Sequence, residues 1–244
     1  MDFKRLVSLE MLAAIIGAAS VTLLVDYLKI NPYWLVLFIP SLLLAIHYTT
    51  ISHRLQVFRS GVISYYTTFP IQQGPAYWHD SKHEFAYWGV TGASIQEELH
   101  TLLVQDRGEV RVYRFLLMSP EGNAMKEQLA FKSGVNLHNA SPDQIQRIEH
   151  ERDVARRRLD ATIAVLKNSP AFAAGRLEIR LFDEFLPWWA YVLDNRRMII
   201  GLLRYGQEVG EGPAAVVEKN PQDHNLFDAF HQNFERVWRS SRTV

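Results

Sequence analysis

Between residues 177 and 204 the chain gathers side chains suited to holding a phosphorylated aromatic ligand. Trp189 and Tyr191 are two positions apart in the apolar run WWAYVL, so strand alternation places both rings on one face. Aromatic faces stack nucleobases, at about 1–3 kcal/mol per base. Arg180 on the preceding strand and Arg204 after the following one offer guanidinium forks for phosphate. Thr91, Gly92 and Ser94 form a strand-to-helix turn whose backbone amides suit an anion. The same aromatics would serve equally as core or as a subunit contact, and glycine is common in turns of every kind. Arg156, Arg157 and Arg158 are consecutive and point to different helix faces, which suits solvent or an oligomer contact better than a phosphate cluster.

Several other chemistries are excluded at once. With no cysteine the chain has no disulfide, no thiol nucleophile and no cysteine-ligated zinc. His224 and His231 share a helical spacing but lack carboxylates in a ligand pattern, so no metal centre is expected. The 26 basic and 26 acidic side chains cancel, which excludes a globally basic nucleic-acid binder, and a hydrophobic content of 48% excludes disorder. A mean hydropathy of −0.09 conceals two unlike parts.

The first part is an expected two-helix transmembrane hairpin over residues 1–54. Met11–Val25 carries no charge between Glu10 and Asp26, and Asn31–His53 carries none after an aromatic anchor at Tyr33 and Trp34. A span needs about 20 residues, so the first run draws on Leu6–Leu9 or Tyr27–Ile30; Pro40 kinks the second. Lys4, Arg5, Arg54 and Arg59 flank the spans, which by the positive-inside rule puts both termini in the cytoplasm. A cleaved signal peptide is the rival, but the apolar run continues past Ala18-Ala19-Ser20 and a second span follows. Two helices enclose no pathway, so conduction requires a homo-oligomer, with a tetramer as the working guess. The small residues Ala13, Ala14, Gly17 and Ala18 favour close packing. Glu10 and Asp26 are then pore-lining candidates, forming carboxylate rings that attract cations, or else they sit among lipid headgroups.

The second part is an α/β domain over 84–244, reached through a juxtamembrane connector over 55–83. Glu84–Val90 reads as a buried strand, and Ser94-Ile95-Gln96-Glu97 as a capping box opening a helix to about Gln105. Val110–Met118 is a second strand, after which SPEG turns the chain. Ser141 with Pro142 starts a long charged helix to about Lys167. Leu177–Phe182, Trp188–Leu193 and Met198–Leu203 are strands, with Asp194-Asn195-Arg196 as a hairpin turn, and Ala214–Val217 is a shorter one. Leu226, Phe227, Phe230, Phe234 and Trp238 recur at helical spacing as a core-facing stripe.

The run from Leu177 to Gly206, preceded by a long helix and by VYRFLLMSPEG, resembles the phospholipase D-like fold, a mixed sheet flanked by helices, over roughly residues 84–240. That family's signature is His-x-Lys-x-x-x-x-Asp. With Asp194 aligned to its Asp, Pro187 stands at the His position and Trp189 at the Lys position. Neither forms a phospho-enzyme or balances phosphate charge, so the resemblance implies a catalytically degenerate domain with no catalytic residue, binding where relatives cut. A hairpin carrying such a domain resembles the membrane effectors of nucleotide-signalled bacterial anti-phage systems, the Hailong channel effectors above all. That likeness implies the bacterial inner membrane, membrane lipid and further copies of the chain as partners, and a nucleotide or oligonucleotide made by a nucleotidyltransferase partner, with no cofactor. Two other classes stay open: a membrane-anchored phosphodiesterase or phospholipase with a relocated histidine, and an inner-membrane scaffold.

Overall fold

The computed structural model describes residues 59–69, 78, 81–105, 112–207, 212–220 and 225–244. Both expected spans, with Glu10 and Asp26, lie outside the described residues; no helix among the described residues is long and apolar enough to cross a membrane. The chain divides into Met1–Gln56 and Val57–Val244, and all that follows concerns the second unit.

Among the described residues eight strands form one mixed sheet: β1 (Val62–Tyr66), β2 (Glu84–Gly89), β3 (Val112–Met118), β4 (Leu177–Phe182), β5 (Trp188–Leu193), β6 (Arg197–Leu202), β7 (Ala214–Glu218) and β8 (Arg242–Thr243). Their order is β1-β7-β6-β5-β2-β3-β4-β8. β2, β3 and β4 are parallel, which requires crossover connections, and helices supply them. The chain then returns antiparallel: β5 pairs with β2, and β5, β6 and β7 form a meander. Asp194 and Asn195 take positive φ angles of 53° and 49° in the β5–β6 turn, and the Arg196 N–H donates to the Leu193 carbonyl at 3.0 Å. This left-handed pair matches strand twist, and Asp and Asn tolerate it better than most side chains.

Among the described residues the sheet is covered by α1 (Gln96–Gln105), α2 (Asn123–Lys132), α3 (Pro142–Lys167), α4 (Pro170–Ala173) and α5 (Leu226–Ser240). Ser141 and Gln144 cap α3 reciprocally: Ser141 Oγ accepts the Gln144 N–H and Gln144 Oε1 accepts the Ser141 N–H, with Pro142 at the first turn. At about 39 Å for 26 residues, α3 is long enough to serve both faces of the sheet. Its Ile148 and Ala155 join the layer of Trp88, Leu116, Met118, Trp188, α2 and α5. Its Leu159 and Leu166 join the opposite layer of Phe85, Tyr87, Phe115, Trp189, Tyr191 and α1. All six residues of β5 are buried, as expected of a strand covered on both sides.

Three expectations are corrected. The stretch expected as connector supplies β1, an edge strand paired antiparallel to β7, because VISYY alternates inward and outward. Ser94 does not cap a helix: it sits inside a 3-10 turn, Ala93–Ile95, entered from Gly92 at φ 69°, which has no side chain to cap with. SPEG does turn the chain, and it leads into a helix absent from the sequence reading, α2, whose Ala124 N–H donates to Asp183 Oδ1 at 3.1 Å; a carboxylate 59 residues away does the capping. β6 begins at Arg197, held by the Glu218 carboxylate on β7, one residue before the expected Met198.

Candidate functional site

At the end of the sheet where β2 finishes and β5 begins, α2 and α3 leave a cleft of about 830 Å³. Each wall follows from a local rule. β2 ends at Gly89, where a Cβ would overlap the Tyr87 hydroxyl, and the chain then turns through Gly92 in the left-handed conformation. Thr91 Oγ1 accepts the Ala93 N–H at 3.3 Å, and the Ile95 N–H donates to the Gly92 carbonyl at 3.2 Å. The turn therefore places Thr91, Gly92, Ala93 and Ser94 side by side on the lining. Beneath them Tyr87 accepts the Gly92 N–H; burial pushes its hydroxyl far above the ordinary value, more than that contact lowers it, so it stays protonated.

The facing wall is a stripe of α3. Arg147, Glu151, Val154, Ala155 and Arg158 recur at three- and four-residue spacing and so share one helix face. Lys132 at the end of α2 and Arg204 after β6 complete four cationic side chains against one carboxylate. Glu151 is engaged, accepting the Ser133 hydroxyl at 3.0 Å and lying 3.4 Å from Arg147 Nε. Arg158 and Arg204 are exposed and their guanidinium groups have no partner among the described residues. Such an arrangement concentrates positive potential in a concave site, and guanidinium forks match phosphate geometry.

Of the residues expected from sequence, Thr91, Gly92, Ser94, Trp189 and Arg204 line this cleft. Trp189 contributes little surface, being 8% exposed, with Phe69 and Tyr191 rings 5.2 Å away. Tyr191 lies deeper, packed among Trp78, Phe85 and Tyr87, and does not reach the lining. Arg180 sits elsewhere. It is the register partner of Leu116, which puts it on the α5 side of the sheet. There it donates to the Trp238 carbonyl at 2.7 Å, pairs with Glu178 at 2.7 Å and stacks its guanidinium 4.8 Å from the Trp238 ring. Its charge is already used in holding the C-terminal helix.

Asp194 is also remote from the cleft, about 17 Å along β5 from Trp189 by strand rise. Its carboxylate accepts the backbone N–H groups of Lys82, His83 and Glu84 at 2.7–3.0 Å. Burial opposes its charge, but those three donors prevail and hold the carboxyl below the usual range. Pro187 is exposed at the start of β5, its carbonyl accepting the Leu203 N–H at 2.8 Å. No histidine lines the cleft among the described residues, and no group there could hold a metal ion through His, Asp and Glu. Sequence reasoning missed Lys132, Arg147 and Gln128, and set Arg158 aside; the 147-151-154-158 spacing was the available signal.

No family model matches the chain, and no curated protein does. Solved structures are similar at low identity. NucT from Helicobacter pylori gives a TM-score of 0.41 at 7% identity over 74% of this chain and 98% of that one. Nuc from Salmonella typhimurium, a phospholipase D family member, gives 0.39 at 12% over 74% of this chain and 95% of that one. TrmBL2, an archaeal chromatin protein whose structure shows a mode of DNA binding, gives 0.40 at 10% over 84% of this chain. This chain spans 65% of that protein's length.

Proposed function

We propose that this chain is a membrane effector in bacterial anti-phage defence, an oligomeric channel whose α/β domain binds a nucleotide or oligonucleotide without hydrolysing it. The observation that carries the ligand half is the pair Arg158 and Arg204, unpartnered guanidinium groups on two walls of one cleft. Phosphate is the ligand chemistry they match. Where a phosphodiesterase of this plan would place an imidazole and an amine, this chain has Pro187 and Trp189. The membrane half is supported by the two uncharged runs Met11–Val25 and Asn31–His53. Ligand acts by population shift: it favours one packing of the oligomer through contacts it makes better in that state.

The test uses the full chain, purified in mild detergent from cells that also express its operon neighbour. Mass spectrometry should find a co-purifying nucleotide species, and proteoliposomes should conduct ions with an amplitude that changes when the species is added or removed. Absence of both a nucleotide and a conductance overturns the reading. Turnover of a phosphodiester that disappears on mutating a single histidine would replace it with a membrane-anchored phosphodiesterase.

A further inference from the structure

Charge alone selects any phosphate, so discrimination within the cleft needs a directional group; we infer that Gln128 is that group, its amide N–H₂ donating to a hydrogen-bond acceptor on the nucleobase edge. The inference rests on the nucleotide reading above and assigns a base-reading residue within it.

Gln128 lines the cleft from α2 while only 3% exposed. Its Oε1 accepts the Leu186 N–H at 3.1 Å. A backbone N–H can only donate, so this bond fixes which end of the amide is oxygen and leaves the nitrogen facing the other way. The nitrogen carries two donors, and neither has a partner among the described residues. The nitrogen is not among the fully buried side-chain atoms left without a partner, so it keeps contact with solvent. A side chain held rigidly by one end, with its other end presented to a cleft, is a donor awaiting an acceptor.

The surroundings fit a flat ring. Phe131 lies on the same helix three residues on and also lines the cleft. Phe185 and Tyr205 meet it edge-on at 5.4 Å and 5.5 Å, and both are exposed. The Gly206 N–H donates to the Phe131 carbonyl at 3.0 Å, which ties the Tyr205 segment to the end of α2. Phe185 and Tyr205 do not themselves line the cleft; they brace Phe131, and an aromatic ring beside cations is the stacking platform that single bases use. Arg158 is placed differently, one turn before Thr162, whose Cγ2 lies 3.2 Å from where a Gly92 Cβ would be. The cleft thus has cations on both sides of the Gln128–Phe131 wall, Arg158 towards the Thr91–Ser94 turn and Lys132 and Arg204 beside Phe131, so a ring held at Gln128 has phosphate partners within the same cleft.

The experiment measures binding of short deoxydinucleotides differing in base, with inorganic pyrophosphate as the base-free probe, to the full chain in detergent. Gln128→Glu keeps an oxygen for the Leu186 N–H but puts a carboxylate in place of the donor, which repels every phosphate, so its readout is the preference among bases alone. Gln128→Met, checked for an unchanged circular-dichroism melt, deletes the donor without adding charge. Gln128→Met should lose about tenfold more affinity for the preferred dinucleotide than for pyrophosphate, and in both variants the preference among bases should collapse. Equal losses for dinucleotide and pyrophosphate in Gln128→Met, or an unchanged base preference, overturn the role of Gln128 alone. A wild-type chain that binds neither probe overturns the nucleotide cleft and this assignment with it.

Discussion

The indole of Trp189 covers Gly201, its register partner on β6, so closely that a methyl group there would overlap the Nε1, Cε2 and Cζ2 atoms. Glycine in a strand interior ordinarily weakens it, so replacement by alanine should stabilise on propensity alone. Here the sign reverses. Gly201→Ala displaces the indole from a packed layer and should destabilise by about 1–3 kcal/mol, read as a lower urea midpoint. A midpoint that rises would show that Trp189 has room to move.

Arg158→Ala and Arg204→Ala should each weaken nucleotide binding about tenfold while leaving the thermal midpoint within about 1 °C, because neither side chain has a partner to lose. Their losses should shrink at high salt. Arg180→Ala should do the opposite: it frees the Trp238 carbonyl and the Glu178 carboxylate, lowers stability by about 1–2 kcal/mol, and leaves nucleotide affinity unchanged. Calorimetric titration and melting of all three variants separate the two roles.

Asp194 ties the β5–β6 turn to the start of β2, and its loss leaves three N–H groups without their acceptor. Asp194→Ala should cost about 1–3 kcal/mol. Asp194→Asn should cost less, since asparagine keeps one acceptor oxygen and tolerates the positive φ of 53°. The folded carboxyl is more acidic than the unfolded one, so this stabilisation is present above the unfolded value of 3.8 and is lost as pH falls through the folded value. Acid unfolding of wild type and of Asp194→Asn, followed by circular dichroism, should converge at the lowest pH.

His231 supplies a second pH dependence with its own window. The ring stacks on Phe227 at 5.4 Å, and its buried Nε2 has no hydrogen-bond partner. Burial and the neighbouring Arg114 lower its proton affinity more than Glu235 raises it. The unfolded chain therefore binds the proton more tightly than the folded one, and stability should fall as pH drops below 6.5. His231→Phe keeps the stacking and should flatten this slope. Melting temperatures across that range, wild type against variant, give the comparison.

Much of the domain was legible because its signals are local. The Ser141, Pro142 and Gln144 cap, the apolar runs of β4 and β5, and the Asp194-Asn195 turn all act within a few residues of where they are read. α2 was not, because its first turn is capped by Asp183 from beyond α3. The site was half legible for the same reason. The Thr91–Ser94 turn and Arg204 are positioned by strands whose ends the sequence marks, whereas Lys132, Arg158 and Gln128 reach the cleft only once α2 and α3 have packed. Arg180 misled because strand alternation fixes a face but not which helix covers it, and α5 claims it.

One property of α3 bears on how the cleft works. Because the helix is rooted through Ile148 in one apolar layer and through Leu166 in the other, it cannot swing without prising both open. The wall bearing Arg158 is a fixed jamb, and the segment from Leu203 to Gln207 opposite it is tied down in turn, the Leu203 N–H donating to the Pro187 carbonyl and the Gly206 N–H to the Phe131 carbonyl.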